Sequence, residues 1–97
     1  MTIPSYDESA FSLVRQCLNA VVTLDAKYPG EWPIESVIIQ LRLIDRTSSL
    51  ESIADADREK FDFGFLGMRF IYEFDGALAR DLSDLNTYLT RRFARDS

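Results

Sequence analysis

Residues 61–75 read FDFGFLGMRFIYEFD, six aromatic rings, two glycines and one arginine set among three carboxylates. Two registers compete for this stretch. Phe61, Phe63 and Phe65 alternate as a half-buried strand would, but the alternation breaks at Leu66. Phe63, Leu66, Gly67, Phe70, Ile71 and Phe74 instead keep the three- and four-residue spacing of a helix. A strand here would have no partner, because no other segment has β character. The longer match therefore decides for a helix, with Phe63, Leu66, Gly67, Phe70 and Phe74 on its core stripe. The same reading makes the whole chain all-α.

Working outward, Asp75 is placed to cap a helix over GALARDLSDLNTYLTRRFARDS, whose apolar residues recur at Leu78, Leu82, Leu85, Leu89 and Phe93. Arg91, Arg92 and Arg95 lie where the helix dipole favours cations. Towards the amino terminus, Ser5 and Glu8 have the spacing of a capping box. Beyond them Ala10, Val14, Cys17, Leu18, Val21 and Leu24 form an amphipathic stripe. KYPGEWP at 27–33 ends that helix, since Pro29 disfavours helical geometry at Tyr28 and Gly30 is free to turn. Pro33 then suits the first turn of a second helix carrying Ile34, Val37, Ile38, Leu41 and Ile44, with Trp32 expected as a core anchor at its start. DRTSS stops it near residue 46. A third, weakly anchored helix is expected over LESIADADREKF. The sum is a small single-domain bundle of four to five helices spanning 1–97.

Ninety-seven residues with 46% hydrophobic content support one core and no second domain. The net charge of −5 argues against phosphate backbones and anionic membranes as partners. The charge is localised: nine acids and four bases lie between Glu51 and Asp84, a difference of −5. The chain has no histidine, which removes the commonest general base and metal ligand. Its single cysteine, Cys17, has no disulfide partner in the chain and reads as a small core residue. Two acids and no base precede the first apolar run, the reverse of a secretory leader, so a soluble cytoplasmic protein is expected.

The carboxylates of DADRE carry their own counter-charges in Arg58 and Lys60 and read as a solvated face rather than a catalytic or metal-binding set. Gly64 and Gly67 have a GxxG spacing, but acidic and aromatic flanks argue for close helix packing rather than an RNA clamp. Arg69 is expected to pair with Glu73 at i+4 or to reach the surface. No enzyme and no cofactor are expected.

YPG at 28–30, IIQLRLI at 38–44, FLGMRFIYEFD at 65–75 and LARDLSDLNTYL at 78–89 occur in an order that resembles the small helical immunity proteins of type VI secretion systems. The specific resemblance is to the family paired with toxins that hydrolyse NAD(P). Tyr28, Pro29 and Gly30 match that family's turn after the first helix, and Gln40, Leu41 and Ile44 match its second helix. Leu66 and Gly67 match the start of the fourth, Glu73, Phe74 and Asp75 its closing triplet, and Tyr88 a late aromatic. The resemblance implies an antitoxin that inhibits by binding, an acidic bundle covering the toxin's catalytic cleft. The residues expected to touch the toxin are Asp57, Glu59, Asp62, Arg69, Tyr72, Glu73 and Asp75. The alternative is a helical adaptor or regulator that forms a homodimer through the same aromatic surface.

Overall fold

A computed structural model describes residues 6–95, and of Tyr6 its backbone alone. The proposed Ser5 cap lies outside the described residues. All regular structure within them is helical: α1 (Tyr6–Lys27), α2 (Trp32–Asp45), a 3₁₀ turn (Leu50–Ser52), α3 (Asp55–Arg58), α4 (Phe63–Leu66) running into a π-helical turn (Gly67–Ile71), and α5 (Gly76–Arg95).

The apolar stripes fall where helical periodicity puts them. Ala10, Val14, Cys17, Val21 and Leu24 of α1 are buried, as are Ile34, Val37, Ile38, Leu41 and Ile44 of α2 and Leu78, Leu82, Leu85 and Leu89 of α5. These three stripes form one cluster, completed by Leu50, Ile53, Phe63, Leu66 and Ile71. Between α1 and α2, Gly30 adopts φ 88°, a left-handed conformation that a glycine adopts without penalty. At the other junction Asp75 caps α5 as expected, accepting the Leu78 N–H at 3.0 Å.

The aromatic stretch is helical, but its register changes midway. The Tyr72 N–H donates to the Gly67 carbonyl at 2.9 Å, an i→i+5 bond that inserts an extra residue into the turn. One residue corresponds to about 100° of helical rotation, so everything beyond the turn is displaced from the 3.6-residue stripe. Ile71 takes the fully buried place, Phe70 is only partly buried and Phe74 is turned out to 43% exposure. The assignment of Phe74 to the core is thereby corrected.

Gly64 and Gly67 press this element against α5. A Cβ added at Gly64 would sit 2.7 Å from the Asn86 Cβ, and at Gly67 3.0 Å from the Leu82 Cδ1. The Gly64 N–H also donates to Asn86 Oδ1 at 2.8 Å, which holds the two elements in register. Gly64→Ala is expected to cost about 1–3 kcal/mol, because a backbone-proximal Cβ must move and the hydrogen bond is strained with it. Gly67→Ala should cost less, since its nearest contact, Leu82 Cδ1 at 3.0 Å, is less tight than the 2.7 Å one at Gly64 and no hydrogen bond is strained with it. Urea midpoints of the two variants measure the difference.

The third helix expected over residues 50–61 is instead two short pieces. Ile53 and Ala54 are extended, with ψ of 125° and 144°. Arg58 accounts for the break: its Nε donates to the Ile53 carbonyl at 2.9 Å and its Nη2 to the Glu51 carbonyl at 3.1 Å, acceptors that a continuous helix would use itself. Its guanidinium also lies 4.5 Å from the Phe93 ring centroid. Arg58 is thus a half-buried fastener as well as a counter-charge, its Nε lying 3.9 Å from Asp55 Oδ1, while Asp55, Glu59 and Lys60 are exposed as a solvated face requires.

A second fastener joins the ends of α1 and α5. Tyr88 Oη donates to Asp7 Oδ1 at 2.6 Å, Arg92 Nε donates to the same oxygen at 3.2 Å, and Arg92 Nη2 donates to Glu51 on the 3₁₀ turn. Burial alone would raise the Asp7 carboxyl, but the hydrogen bonds from Tyr88 and Arg92 and the positive charges of Arg92 and Arg95 outweigh it and hold the group below its ordinary value. Tyr88 moves oppositely. Burial and the Asp7 carboxylate push it from 10.0 to about 12.

These directions fix the pH profile. Asp7 has a depressed pKa in the fold, so its contribution is present above the unfolded carboxyl's value and disappears as pH falls through the folded one. Tyr88 has a raised pKa, so its contribution is present below 10 and disappears as pH rises towards about 12. Tyr88→Phe should abolish the alkaline loss and cost about 1 kcal/mol at neutral pH. Urea unfolding across the pH range measures both effects.

Candidate protein-interaction surface

Buried side chains of this fold are apolar, and none of the described polar or charged residues is fully buried. The unusual feature lies outside. Eight large apolar side chains are exposed, and seven of them fall within residues 28–39 and 65–74: Tyr28, Trp32, Ile39, Phe65, Met68, Tyr72 and Phe74. Scattered singly they would need no explanation, but Tyr28 with Phe74 and Trp32 with Phe70 meet in ring pairs, and an exposed patch of this kind marks an interaction surface.

Two local features create the cluster. The PG turn places Tyr28 beyond the last turn of α1 and Trp32 at the first position of α2, immediately before the buried residues Pro33 and Ile34. The π turn then rotates Phe70 and Phe74 towards these two rings. Tyr28 and Phe74 meet with centroids 4.5 Å apart, and Trp32 meets Phe70 edge-on at 5.3 Å. Trp32 remains 60% exposed, which corrects its assignment as a core anchor. It is a surface ring supported from one side.

Charged residues border these rings. Glu31, Arg69 and Glu73 line a pocket of about 180 Å³ together with Pro33, Ile34, Phe70 and Phe74. Arg69 does not pair with Glu73. Its guanidinium lies 5.8 Å from the Phe70 centroid instead, so the expected i, i+4 bridge is replaced by a contact with a ring. On the far side of the turn, Arg80 Nη2 donates to Tyr72 Oη at 3.4 Å and lies 6.0 Å from that ring's centroid.

The seven residues singled out from sequence separate into three groups. Arg69, Tyr72 and Glu73 are exposed, Arg69 and Glu73 beside the ring pairs and Tyr72 on the far side of the turn against Arg80. Asp62 and Asp75 have work within the fold. Gln40 Nε2 donates to Asp62 Oδ1 at 2.7 Å and the Asp62 N–H donates back to Gln40 Oε1 at 3.0 Å, while Asp75 caps α5. Asp57 and Glu59 lie apart on and just after α3. Glu59 borders a different groove of about 430 Å³ between α3 and the end of α5, lined also by Asp55, Arg58, Phe61, Asn86 and Phe93.

Sequence reasoning missed Tyr28, Glu31, Trp32, Phe70 and Phe74 as surface residues. For Trp32 a signal was present, since it falls off the spacing of the α2 stripe. For Phe74 there was none, because its exposure depends on the π turn.

Elsewhere the chemistry is quiet. The Cys17 thiol is buried, and burial together with the nearby Asp81 carboxylate pushes it up to about 12, the reverse of an activated nucleophile. Among the described residues no group of three or more histidine, cysteine, aspartate or glutamate side chains is placed to hold a metal ion, and no helix is long and apolar enough to cross a membrane. Compared with known proteins, the chain matches no family model, no curated protein and no solved structure.

Proposed function

We propose that this protein is an immunity-type inhibitor, a pre-folded acidic bundle that binds an NAD(P)-hydrolysing toxin and covers its catalytic cleft. The observation that carries the reading is the surface on which the exposed Tyr28, Trp32 and Phe74 and the half-buried Phe70 meet in ring pairs, bordered by Glu31, Arg69 and Glu73. Tryptophan, tyrosine and arginine in a partly supported cluster are the composition of binding hot spots. Charge supports it further. A cleft that binds an anionic dinucleotide is favoured by positive potential, and a partner of net charge −5 gains both steering and complementarity there. The order of motifs resembling NAD(P)-toxin immunity proteins supplies the identity of the partner.

Self-association is the second reading, and one feature favours it. Arg69 and Glu73 flank the apolar surface without bridging each other, so two-fold related copies would match each arginine to a glutamate. Size-exclusion chromatography with an NAD(P)-hydrolysing toxin domain as the candidate partner separates the two. The inhibitor reading requires a stable heteromeric complex and suppressed NAD(P) hydrolysis. A homodimer that ignores the toxin would contradict it and leave the adaptor reading standing.

A further inference from the structure

We propose that the pocket between the start of α2 and the π turn is a socket for one arginine side chain of the partner protein. The proposal rests on the reading of this surface as a partner interface and specifies what enters it.

The lining chooses the occupant. Glu31 and Glu73 stand at the pocket, and among the described residues neither makes an ion pair within the chain. The rest of the lining is Pro33, Ile34, Phe70 and Phe74, with Arg69 beside them. An anion would meet two carboxylates and a single arginine. A purely apolar side chain would bury those carboxylates without a partner, at a cost. A guanidinium satisfies both requirements, because its plane stacks on aromatic faces while its edge donates to carboxylates.

Arg69 lies beside this ring, its guanidinium 5.8 Å from the Phe70 centroid, near the outer limit of a cation–π contact. Arg69 is itself exposed and makes no ion pair among the described residues, so it is free to move aside or stack against an incoming guanidinium. A volume of about 180 Å³ suits one side chain rather than a helix or an extended peptide. Lysine would supply the charge without the planar face or the forked donors.

The test uses N-acetyl-arginine amide as the probe, followed by NMR at the backbone amides of Glu31, Phe70, Glu73 and Phe74, which line the pocket. Saturable shifts are expected in the native protein, weaker ones with the lysine amide, and none in the E31Q/E73Q variant. Absence of saturable shifts, or their persistence in E31Q/E73Q, would overturn the socket. In a second arm, E31Q/E73Q should bind the toxin domain about tenfold more weakly than the native protein, with unchanged melting. If the native protein ignores the toxin, the functional reading fails while the arginine titration still judges the socket. If native and variant bind the toxin equally well, the socket fails and the functional reading stands.

Discussion

Replacing Phe63 by alanine is expected to destabilise the domain by about 3–5 kcal/mol, the range of large-to-small changes at sites that cannot collapse. Phe63 is fully buried, with the Phe61 ring against it at a centroid distance of 6.1 Å. Its backbone cannot follow a shrinking side chain inward, because the next residue, Gly64, is held against Asn86. The cavity would therefore persist. A loss of that size approaches the whole stability of a small domain. Urea unfolding should show a large fall in midpoint with little change in slope. Phe74→Ala, on the same stretch, should cost less than about 1 kcal/mol because its ring is 43% exposed and rests on Tyr28 rather than in the core. Equal losses at the two positions would mean that the π turn does not rotate Phe74 out of the core.

The opposite pattern is expected for binding. Trp32→Ala and Phe74→Ala should each weaken the toxin complex by about 2 kcal/mol or more, roughly 30-fold, the scale of hot-spot aromatics. The two rings belong to adjoining pairs, Trp32 with Phe70 and Tyr28 with Phe74. Their effects should consequently not add, and a double-mutant cycle would report the coupling. Isothermal titration gives the affinities, and the same samples should melt close to the native temperature. A large drop in melting temperature would place Trp32 in the structural rather than the binding class.

The contrast between Phe63 and Phe74 shows how far the amino-acid pattern reaches. Helical periodicity located the stripes of α1, α2 and α5 because each is a long regular helix whose buried face depends on spacing alone. It identified the aromatic stretch as helical for the same reason. It did not register the extra residue in the Gly67–Ile71 turn, since an i→i+5 bond changes no spacing in the chain. Phe74 was consequently put on the wrong face.

The break at Ile53 and Ala54 was equally invisible. It depends on Arg58 folding back onto carbonyls five and seven residues earlier, a tertiary competition that propensity does not record. At the surface, Arg69, Tyr72 and Glu73 were legible as residues off the core stripe. Asp62 and Asp75 were legible too, but their roles in a Gln40 clamp and a helix cap compete with contact to a partner. Trp32 was misplaced by its size, because a large apolar residue suggests burial unless its helix position is weighed against the stripe beside it.

The central claim, that the aromatic surface inhibits a toxin, is tested most directly by the NAD(P) hydrolysis of the proposed partner toxin domain in the presence of this protein. Stoichiometric native protein should suppress turnover, and the W32A/F74A variant, folded and equally concentrated, should leave the toxin active. Undiminished hydrolysis with the native protein, or full suppression by the variant, would contradict the account.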